Sequence, residues 1–252
     1  MKIAAVVHGF KAPEVLFDTV DSIEFWMTDK IQVLIDGANW EAFENYPTSY
    51  QVIKGLVHGY HKSPYRNQLF GLQTLYERYP DEDFYCWIEY DCLVMSDWFK
   101  QDLQRGWCYG TNHRKGEWKW DTPLLTNILD EPIKEKHYFI GNIMFFANAF
   151  LFKLKAINFF NQLIDVTTEV EKGEFPGYDG YSFEEELLPS IANLWYPGSV
   201  VPLAPWERYA CRWKPSLKVE ELPATSTIAH PIKDYNDPIR KYYRKIRNAR
   251  HK

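Results

Sequence analysis

Several patterns that mark common protein classes are missing from this sequence. No GxGxxG run follows the first strand-like segment, which counts against a dinucleotide-binding fold, and the absence of any GxxxxGKS/T run excludes a P-loop nucleotidase. The four cysteines show no CxxC spacing, so the sequence predicts neither a zinc site nor a disulfide framework, as expected in a reducing compartment. No internal repeat or low-complexity linker divides the chain, which favours a single domain.

A signal peptide and an apolar run long enough to span a membrane are also missing, so we expect a cytoplasmic protein. The net charge of -5 argues against a nucleic-acid partner. The charge is unevenly placed, however, because residues 239–252 include seven basic residues and no acid. Two interpretations of this segment stay open. It could lie on anionic lipid at the inner face of a membrane, with Tyr242, Tyr243 and Ile246 in the interface. It could also be a solvated, partly frayed terminal helix.

The chain is rich in apolar residues, with 46% hydrophobic and 17% aromatic side chains among its 252 residues, which is ample for a large core. The first ninety residues alternate between buried-strand patterns (2–7, 31–35, 51–53 and 84–88) and helical patterns (13–27 and 66–79). This alternation predicts an α/β protein with a Rossmann-like, mostly parallel central sheet flanked by helices. The second half is less regular. It predicts helices at 98–106, 149–172 and 182–195, strands at 107–110 and 199–203, and a strand at 138–146 that is interrupted by Gly141-Asn142.

The strongest candidate for a functional site is Glu89-Tyr90-Asp91, which follows directly on the apolar strand pattern at 84–88. In an extended segment, residues i and i+2 point to the same side, so Glu89 and Asp91 can converge on one cation. Mg²⁺ and Mn²⁺ prefer such oxygen ligands and bridge them to substrate phosphates. The alternative is that both acids are solvated residues of a turn.

Two other strands are predicted to end at the same edge of the sheet, one at His8-Gly9 and the other at Asp36. Asp36 could accept hydrogen bonds from a ribose or a base, and Gly9 permits close approach of the backbone. An Asp-Gly pair is also a common turn former. Lys62 and Arg66 precede or begin the helix that leads to the acidic triplet, where they could contact a diphosphate or simply carry surface charge.

Two late segments supply further candidates. Asp179 lies in a glycine-rich loop before Glu184, Glu185 and Glu186, and a carboxylate beside such a loop is well placed as a general base toward a hydroxyl. A capping box from Ser182 to Glu185 explains one of these glutamates, but not three. His230 could complete a metal shell with Lys233 on a phosphate, although a lone histidine is more often structural.

Together, His8-Gly9, Asp36 and Glu89-Tyr90-Asp91 resemble the nucleotide-binding half of a GT-A fold, nucleotide-sugar-dependent glycosyltransferase of the family 2 type. The resemblance covers roughly the whole chain in organisation. It implies a single GT-A-like domain at 1–236, with a nucleotide-sugar-binding half at 1–95, an acceptor-binding half at 96–236, and a basic C-terminal helix or tail at 237–252. Glu89 departs from the usual Asp-x-Asp triplet of the family.

The resemblance also implies roles for individual residues. Asp91 would be the principal ligand of Mn²⁺ or Mg²⁺, with Glu89 on the ribose or the metal, while His230 and Lys233 would hold metal and diphosphate. Glu185 matches the position of the base in inverting members, and the choice among Glu185, Glu184 and Asp179 stays open. The partners would be a nucleotide-sugar donor and a glycan or glycolipid acceptor, on which Trp107, Trp118 and Trp120 could stack. A retaining outcome also stays open.

Two other classes compete with this interpretation. A nucleotidyltransferase or phosphotransferase could use the same acid-x-acid metal site, but the segment from His8 to Pro13 is a poor version of the basic glycine-rich loop expected there. A non-catalytic relative that binds carbohydrate or nucleotide would be consistent with the departure at Glu89. Failure to bind both Mn²⁺ and any nucleotide-sugar would favour this second class.

Overall fold

The structure is a computed structural model, and it describes residues 1–56, 64–104, 106–118, 123–139, 143–162, 183–203, 209–211, 217–222 and 226–250. The strands are β1 Ile3–Gly9, β2 Ile31–Ile35, β3 Gln51–Lys54, β4 Phe84–Glu89, β5 Leu93–Val94, β6 Cys108–Gly110, β7 Arg114–Glu117, β8 Glu135–Tyr138, β9 Ile143–Ala147, β10 Val200–Pro202, β11 Tyr209–Cys211 and β12 Ile228–His230. The helices are α1 Pro13–Trp26, α2 Glu41–Glu44, α3 Pro64–Arg78, α4 Phe99–Asp102, α5 Pro123–Leu129, α6 Asn148–Ala156, α7 Phe183–Trp195 and α8 Pro238–Arg250. Short 3-10 helices cover Gly37–Asn39 and Val219–Glu221.

A seven-stranded sheet, in the order β10-β6-β9-β4-β1-β2-β3, forms the centre of the fold. The first four strands of the chain run parallel, whereas β9 runs antiparallel to both β4 and β6. β1 is buried along its whole length because helices cover both faces of the sheet. The predicted α/β architecture with a mostly parallel sheet is therefore confirmed, and the four strands predicted in the first half are β1 to β4.

Alternate residues of β1 belong to different apolar layers. Ala4 and Val6 pack with apolar residues of α3 and α7 on one face of the sheet. Ala5 and Val7 pack with apolar residues of α1 on the other face. This division follows from the two-residue repeat of a strand. The two layers cover the faces of the sheet and leave the carboxyl ends of β1, β2 and β4 open to the loops.

Three predictions for the second half differ from the structure in extent. The predicted helix at 98–106 is a single turn, α4. The predicted helix at 149–172 is interrupted after α6, where Asn158 takes a left-handed φ of 55°; helical structure resumes at 159–162, and residues 163–172 lie outside the described residues. The interrupted strand predicted at 138–146 corresponds to two separate strands, since β8 forms a hairpin with β7 and β9 joins the central sheet. Membership of a sheet depends on distant partners, which local patterns do not specify. The other three elements predicted there are confirmed as β6, α7 and β10.

A second sheet, in the order β11-β12-β5, joins the late part of the chain to the segment after β4. In the antiparallel pair of β12 and β5, Ala229 lies opposite Leu93. In the parallel pair of β11 and β12, Cys211 lies opposite His230. This small sheet therefore carries His230 to the carboxyl end of β4.

The basic C-terminal segment forms α8, which docks on α1 instead of standing in solvent. Arg240 is fully buried and donates to Asp18 at 2.9 Å, and Arg244 donates to the other oxygen of Asp18 at 3.1 Å. A third ion pair joins Arg247 to Asp21. The sequence predicts Tyr243 in a membrane interface, but its side chain is only 1% exposed, so that part of the prediction is wrong. Acidic residues of α1 therefore neutralise part of the positive charge that the sequence suggests is a surface patch.

Within the described ranges, no helix is both long and apolar enough to cross a membrane. The domain boundaries predicted after residues 95 and 236 stay predictions. The contacts of α8 with α1 nevertheless show that the C-terminal helix packs against the first helix of the chain.

Gly110, at the end of β6, provides a test of the packing. A Cβ atom at this position would lie 2.7 Å and 2.8 Å from the two Cδ atoms of the Phe139 ring, closer than real Cβ atoms come. We expect Gly110→Ala to lower the free energy of unfolding by about 1–3 kcal/mol, because the ring must shift within a packed core. Urea denaturation would measure the change. Gly116→Ala in exposed β7, where the nearest atom is the flexible Lys136 Cε at 3.3 Å, is the matched control and should change the stability by less than about 0.5 kcal/mol.

Candidate active site

The carboxyl ends of three parallel strands bring several predicted site residues to one edge of the sheet. In the strand register His8 lies opposite Glu89, and Gly9 lies opposite Ile35, the residue before Asp36. The N–H of Asp36 donates to the carbonyl of Gly9 at 2.9 Å, and the N–H of Tyr90 donates to the carbonyl of His8 at 2.9 Å. The predicted meeting of these strand ends is therefore present in the structure.

The chain turns immediately after β4, and this turn changes how the acidic triplet is arranged. The N–H of Cys92 donates to the carbonyl of Glu89 at 3.1 Å, so the segment is not extended through Asp91. The side chain of Asp91 consequently lies beside Cys92 and His230, and the ligand atoms of these three residues are within 4.8 Å of one another. Among the described residues, Glu89 is not part of that cluster, and its role as a metal ligand stays a prediction.

Four residues surround the end of the turn, and we term Asp91, Cys92, His230 and Lys233 the Asp91 corner. His230 Nε2 lies 3.4 Å from Asp91 Oδ1, and Lys233 Nζ lies 3.7 Å from Asp91 Oδ2. The backbone holds the corner together, since the N–H of Ile232 donates to the carbonyl of Asp91 at 2.8 Å. Three of the four residues are buried, while the side chain of Lys233 is 52% exposed at the solvent side.

The electrostatics of the Asp91 corner suit a bound cation. Burial raises the pKa of Asp91, but the neighbouring His230 and Lys233 outweigh this effect and hold the pKa below its ordinary value. Asp91 is therefore ionised at neutral pH although it is only 2% exposed. Its Oδ1 is buried and makes no hydrogen bond within the described residues. An ionised, buried oxygen beside an imidazole is a suitable ligand for a divalent cation, so the residues present fit the metal that the sequence implies.

A second pair of carboxyl groups, Glu89 and Glu184, joins β4 to the start of α7. Burial raises the pKa of Glu184 to about 8, although a hydrogen bond with Glu89 lowers it in part. Burial also raises the pKa of Glu89 well above its ordinary value, and the charges of Glu184, Asp91 and Glu185 add to this effect. Two carboxyl groups in contact, of which Glu184 is buried and Glu89 half-buried, cannot both ionise easily, so the pair retains a proton at neutral pH.

The three successive glutamates of α7 have three different environments. Glu184 is 7% exposed and contacts Glu89, whereas Glu185 is half-buried and lies close enough for its charge to affect Glu89. Glu186 lies outside this site, since it pairs with Lys136 at 3.1 Å. The structure thus brings Glu184 and Glu185 to the acidic triplet and separates them from Glu186.

Three other residues predicted in the nucleotide-binding half, His8, Gly9 and Tyr90, make different packing contacts. The ring of His8 stacks on Trp87 with centroids 5.0 Å apart. Gly9 allows α1 to pack closely, because a Cβ atom there would lie 2.9 Å from Leu16 Cδ2. Tyr90 is buried and packs against Phe10 in the apolar layer that contains α1, so no role in binding a donor follows from its contacts.

Several candidates lie away from the corner or outside the described part of the chain. Arg66 is half-buried in the first turn of α3. Trp107 packs against Phe150 and Tyr196, and Trp118 is partly buried against the same apolar layer as α3. Lys62, Asp179 and Trp120, together with the glycine-rich loop at 173–180, lie outside the described residues.

Sequence reasoning missed Cys92 and Asn67. Cys92 directly follows Asp91, and this adjacency was the available signal, but the extended-strand assumption placed its side chain on the opposite side. Asn67 is fully buried at the start of α3, where its Nδ2 lies 3.5 Å from Asp36 Oδ2 and its Oδ1 accepts from the N–H of Leu56 at 2.8 Å. An asparagine in the first turn of a helix has no distinctive pattern, so only the fold reveals this contact.

The raised pKa values of Glu89 and Glu184 predict an unusual dependence of stability on pH. Between about pH 5 and 8 the folded protein holds a proton that the unfolded chain has released, so its free energy of unfolding should fall as the pH rises. Glu184→Gln should flatten this slope, because the amide cannot ionise. Urea denaturation of both proteins at pH 5, 6, 7 and 8 would measure it. A stability that rises across this interval in the wild type would contradict the shared proton.

Comparison with known proteins finds similar solved structures only. No protein-family model matches the chain, and no curated protein matches it. The glycosyltransferase GlyE of Streptococcus pneumoniae TIGR4 is 15% identical with a TM-score of 0.49, and the match covers 97% of this chain and 60% of GlyE, so this chain spans about 60% of the GlyE length. A glycosyltransferase involved in glycosylation of the major capsid of PBCV-1 is 11% identical with a TM-score of 0.44, covering 99% of this chain and all of that one.

A third similar structure is the galactosyltransferase LgtC in complex with donor and acceptor sugar analogs. It is 13% identical with a TM-score of 0.45, and the match covers 98% of this chain and 95% of that one. All three structures are described as glycosyltransferases. At these identities and TM-scores, the similarities do not establish an activity for this chain.

Proposed function

We propose that this protein is a glycosyltransferase that moves a sugar from a nucleotide-sugar donor to a hydroxyl of a glycan or glycolipid acceptor. The observation that carries the proposal is the meeting of two acidic segments at one edge of the sheet. Glu89 and Asp91 follow β4, and Glu184 and Glu185 begin α7, yet their carboxyl groups are close enough to perturb one another. Ligands of open α/β sheets bind at this edge.

In this proposal the ends of β1 and β2 bind the nucleoside of the donor. Asp36 accepts hydrogen bonds from the ribose hydroxyls, and Asn67 fixes the orientation of its carboxylate from the side of α3. Both side chains are buried before the donor arrives, so little ordering is needed on binding. His8 lies between this position and Glu89, where its stacked ring forms a wall of the site.

The Asp91 corner binds the diphosphate end of the donor in the same proposal. Asp91 and His230 are the residues that would hold a divalent cation, with Glu89 as a further candidate. When bound there, such a cation supplies charge neutralisation for the departing nucleoside diphosphate. The half-exposed Lys233 is the residue best placed to contact a phosphate oxygen, because its ammonium group lies at the solvent side of Asp91.

The start of α7 supplies the base. Glu184 shares a retained proton with Glu89 at neutral pH and is almost fully buried, which suits it to orient neighbouring groups rather than to accept a proton from an acceptor. Glu185 is half-buried and is therefore the glutamate that an acceptor hydroxyl can reach. It would remove the hydroxyl proton while the oxygen attacks the anomeric carbon, and this single displacement inverts the configuration. A general base at this position contributes a factor of about 10²–10⁴ to the rate.

A thermal-shift panel tests the proposal and can identify the donor in the same experiment. Nucleoside diphosphates and nucleotide-sugars are each added with and without Mn²⁺, and a donor at about 100 times its Kd should stabilise the protein by roughly 2.7 kcal/mol. Asp91→Asn should abolish the metal-dependent part of the shift. Asp97→Asn, which alters an exposed aspartate in a surface pair with Lys100, is the control and should leave it intact.

The outcomes separate the competing classes of function. A metal-dependent shift with one family of nucleotide-sugars, lost in Asp91→Asn, would support the transferase and identify its donor. A shift with nucleoside triphosphates alone would favour a nucleotidyltransferase. No shift with any nucleotide, with or without metal, would count against the proposal and favour a non-catalytic protein.

A further inference from the structure

The Asp91 corner contains a thiol as well as a carboxylate and an imidazole. Asp91, Cys92 and His230 are all buried, with exposures of 2%, 0% and 2%, and their ligand atoms lie within 4.8 Å of one another. Cysteine is uncommon among the ligands of Mg²⁺ and Mn²⁺, which favour oxygen. The corner therefore offers one oxygen, one sulfur and one nitrogen at the place where the transferase proposal needs only oxygen and nitrogen.

Backbone hydrogen bonds fix these three side chains in place. The N–H of Cys92 closes the turn on Glu89, and the hydroxyl of Thr19 donates to the carbonyls of Tyr90 and Cys92 at 2.5 Å and 2.6 Å. The pairing of β12 with β5 then sets His230 beside the turn. Neighbouring residues of a strand would point to opposite faces, so it is the turn that brings the ligand atoms of Asp91 and Cys92 within 4.8 Å of each other and of His230.

An independent observation points to a ligand at this position. The buried Oδ1 of Asp91 makes no hydrogen bond within the described residues, although burial of a polar oxygen is costly without a hydrogen bond. The ion-pair distances are 3.4 Å from His230 Nε2 to Oδ1 and 3.7 Å from Lys233 Nζ to the other carboxylate oxygen. A cation between the three ligands would complete the coordination of Oδ1.

We propose that Asp91, Cys92 and His230 form a three-ligand site for a borderline transition-metal ion, such as Zn²⁺ or Co²⁺, in preference to Mg²⁺. Imidazole and thiolate both select these ions over Mg²⁺, and three protein ligands with an open fourth position are the usual arrangement of a reactive zinc site. The ion enters from the side of Lys233, whose exposed ammonium group it displaces from Asp91. The thiol binds as a thiolate, and its proton passes to solvent.

This inference goes beyond the proposed transfer reaction, since the ion binds whether or not the protein transfers a sugar. The two proposals can therefore fail separately. Their connection is that a sulfur ligand in the corner would make the enzyme respond to Zn²⁺ or Co²⁺ more strongly than to Mg²⁺.

X-ray absorption at the zinc edge on the wild-type protein with one equivalent of Zn²⁺ tests the ligand set directly. We expect one sulfur at about 2.3 Å together with nitrogen or oxygen at about 2.0–2.1 Å. A shell of nitrogen and oxygen alone would overturn the proposal, and so would two or more sulfurs, because only one cysteine belongs to the cluster. This measurement needs no variant and no substrate.

Titration of the wild type and of two cysteine variants with Co²⁺ alone tests whether Cys92 is a ligand. The wild type should develop a thiolate-to-cobalt charge-transfer band that Mg²⁺ removes only in large excess. Cys92→Ser should lose the band and weaken Co²⁺ binding by at least the ~10–100-fold that is typical of changes next to a metal. Cys86→Ser, which alters an equally buried thiol within β4, should keep both.

Lys233→Met should strengthen Co²⁺ binding, whereas Cys92→Ser should weaken it. The ammonium group competes with the ion for Asp91, so its removal should tighten Co²⁺ binding several-fold. Loss of the band in Cys86→Ser, no Co²⁺ binding in the wild type, or weaker binding in Lys233→Met would each count against the site. If Cys92→Ser does not fold, as judged by circular dichroism, the zinc-edge spectrum of the wild type still decides the question.

Discussion

Glu185→Gln should lower kcat of the proposed transfer by about 10²–10⁴-fold and leave donor binding unchanged. The amide keeps the size of the side chain but cannot accept a proton from the acceptor hydroxyl. Glu185 is the half-buried member of the three successive glutamates, so it is the one that an acceptor can reach. Steady-state rates with the donor found by thermal shift would measure the loss, and the thermal shift of the variant would show that the donor still binds.

The neighbouring glutamates are built-in controls for this prediction. Glu184→Gln preserves the hydrogen bond with Glu89, because the amide oxygen can accept from the protonated Glu89 as the carboxylate does, and we expect a loss of less than about tenfold. Glu186→Gln alters a residue that pairs with Lys136 rather than with Glu89, and its rate should stay close to that of the wild type. A larger loss in Glu184→Gln than in Glu185→Gln would assign the base to Glu184 and overturn the order proposed here.

Arg240→Leu should lower the free energy of unfolding by about 3–5 kcal/mol, the usual result of removing one partner of a buried ion pair. Arg240 is fully buried in α8, where it donates to Asp18 at 2.9 Å and twice to the carbonyl of Ile232, at 2.9 Å and 3.0 Å. Without the guanidinium group, that carbonyl loses the donor seen in the structure, and Arg244 is the one partner of Asp18 left among the described residues. Urea denaturation followed by circular dichroism would measure the change.

Two further variants separate the ion pair from the general effect of a mutation in α8. Lys241→Met, at the next and exposed position, should change the stability by less than about 0.5 kcal/mol. Arg240→Lys should still cost stability, because a lysine cannot donate to Asp18 and Ile232 in the same fork. A stability of Arg240→Leu within about 1 kcal/mol of the wild type would show that the buried pair contributes little.

The same arginine connects the C-terminal helix to the candidate active site. Ile232 accepts from Arg240 through its carbonyl and donates through its N–H to the carbonyl of Asp91, at 2.8 Å. Arg240 also reaches the carbonyl of Tyr90 at 3.4 Å. The basic segment therefore supports the turn that presents Asp91, and we expect Arg240→Leu to weaken metal-dependent donor binding as well as stability.

The sequence by itself determined the first half of the fold. Continuous apolar runs specify β1, β2 and β4, because these strands are buried on both faces, and a helical repeat specifies α1 and α3. The position of Asp36 and of the acidic triplet at one edge followed from the ends of those strands. These features depend on residues that are close together in the sequence, so a local sequence pattern is enough to predict them.

The tertiary structure decided the rest. The turn after β4 places Cys92 rather than Glu89 beside Asp91, and the fold buries Glu184 while leaving Glu185 within reach. It also buries Arg240 against Asp18, across 222 positions of sequence, where the charge pattern indicated a surface. In each case the environment of a side chain depends on which distant segment packs against it. That contact is determined only when the whole chain folds.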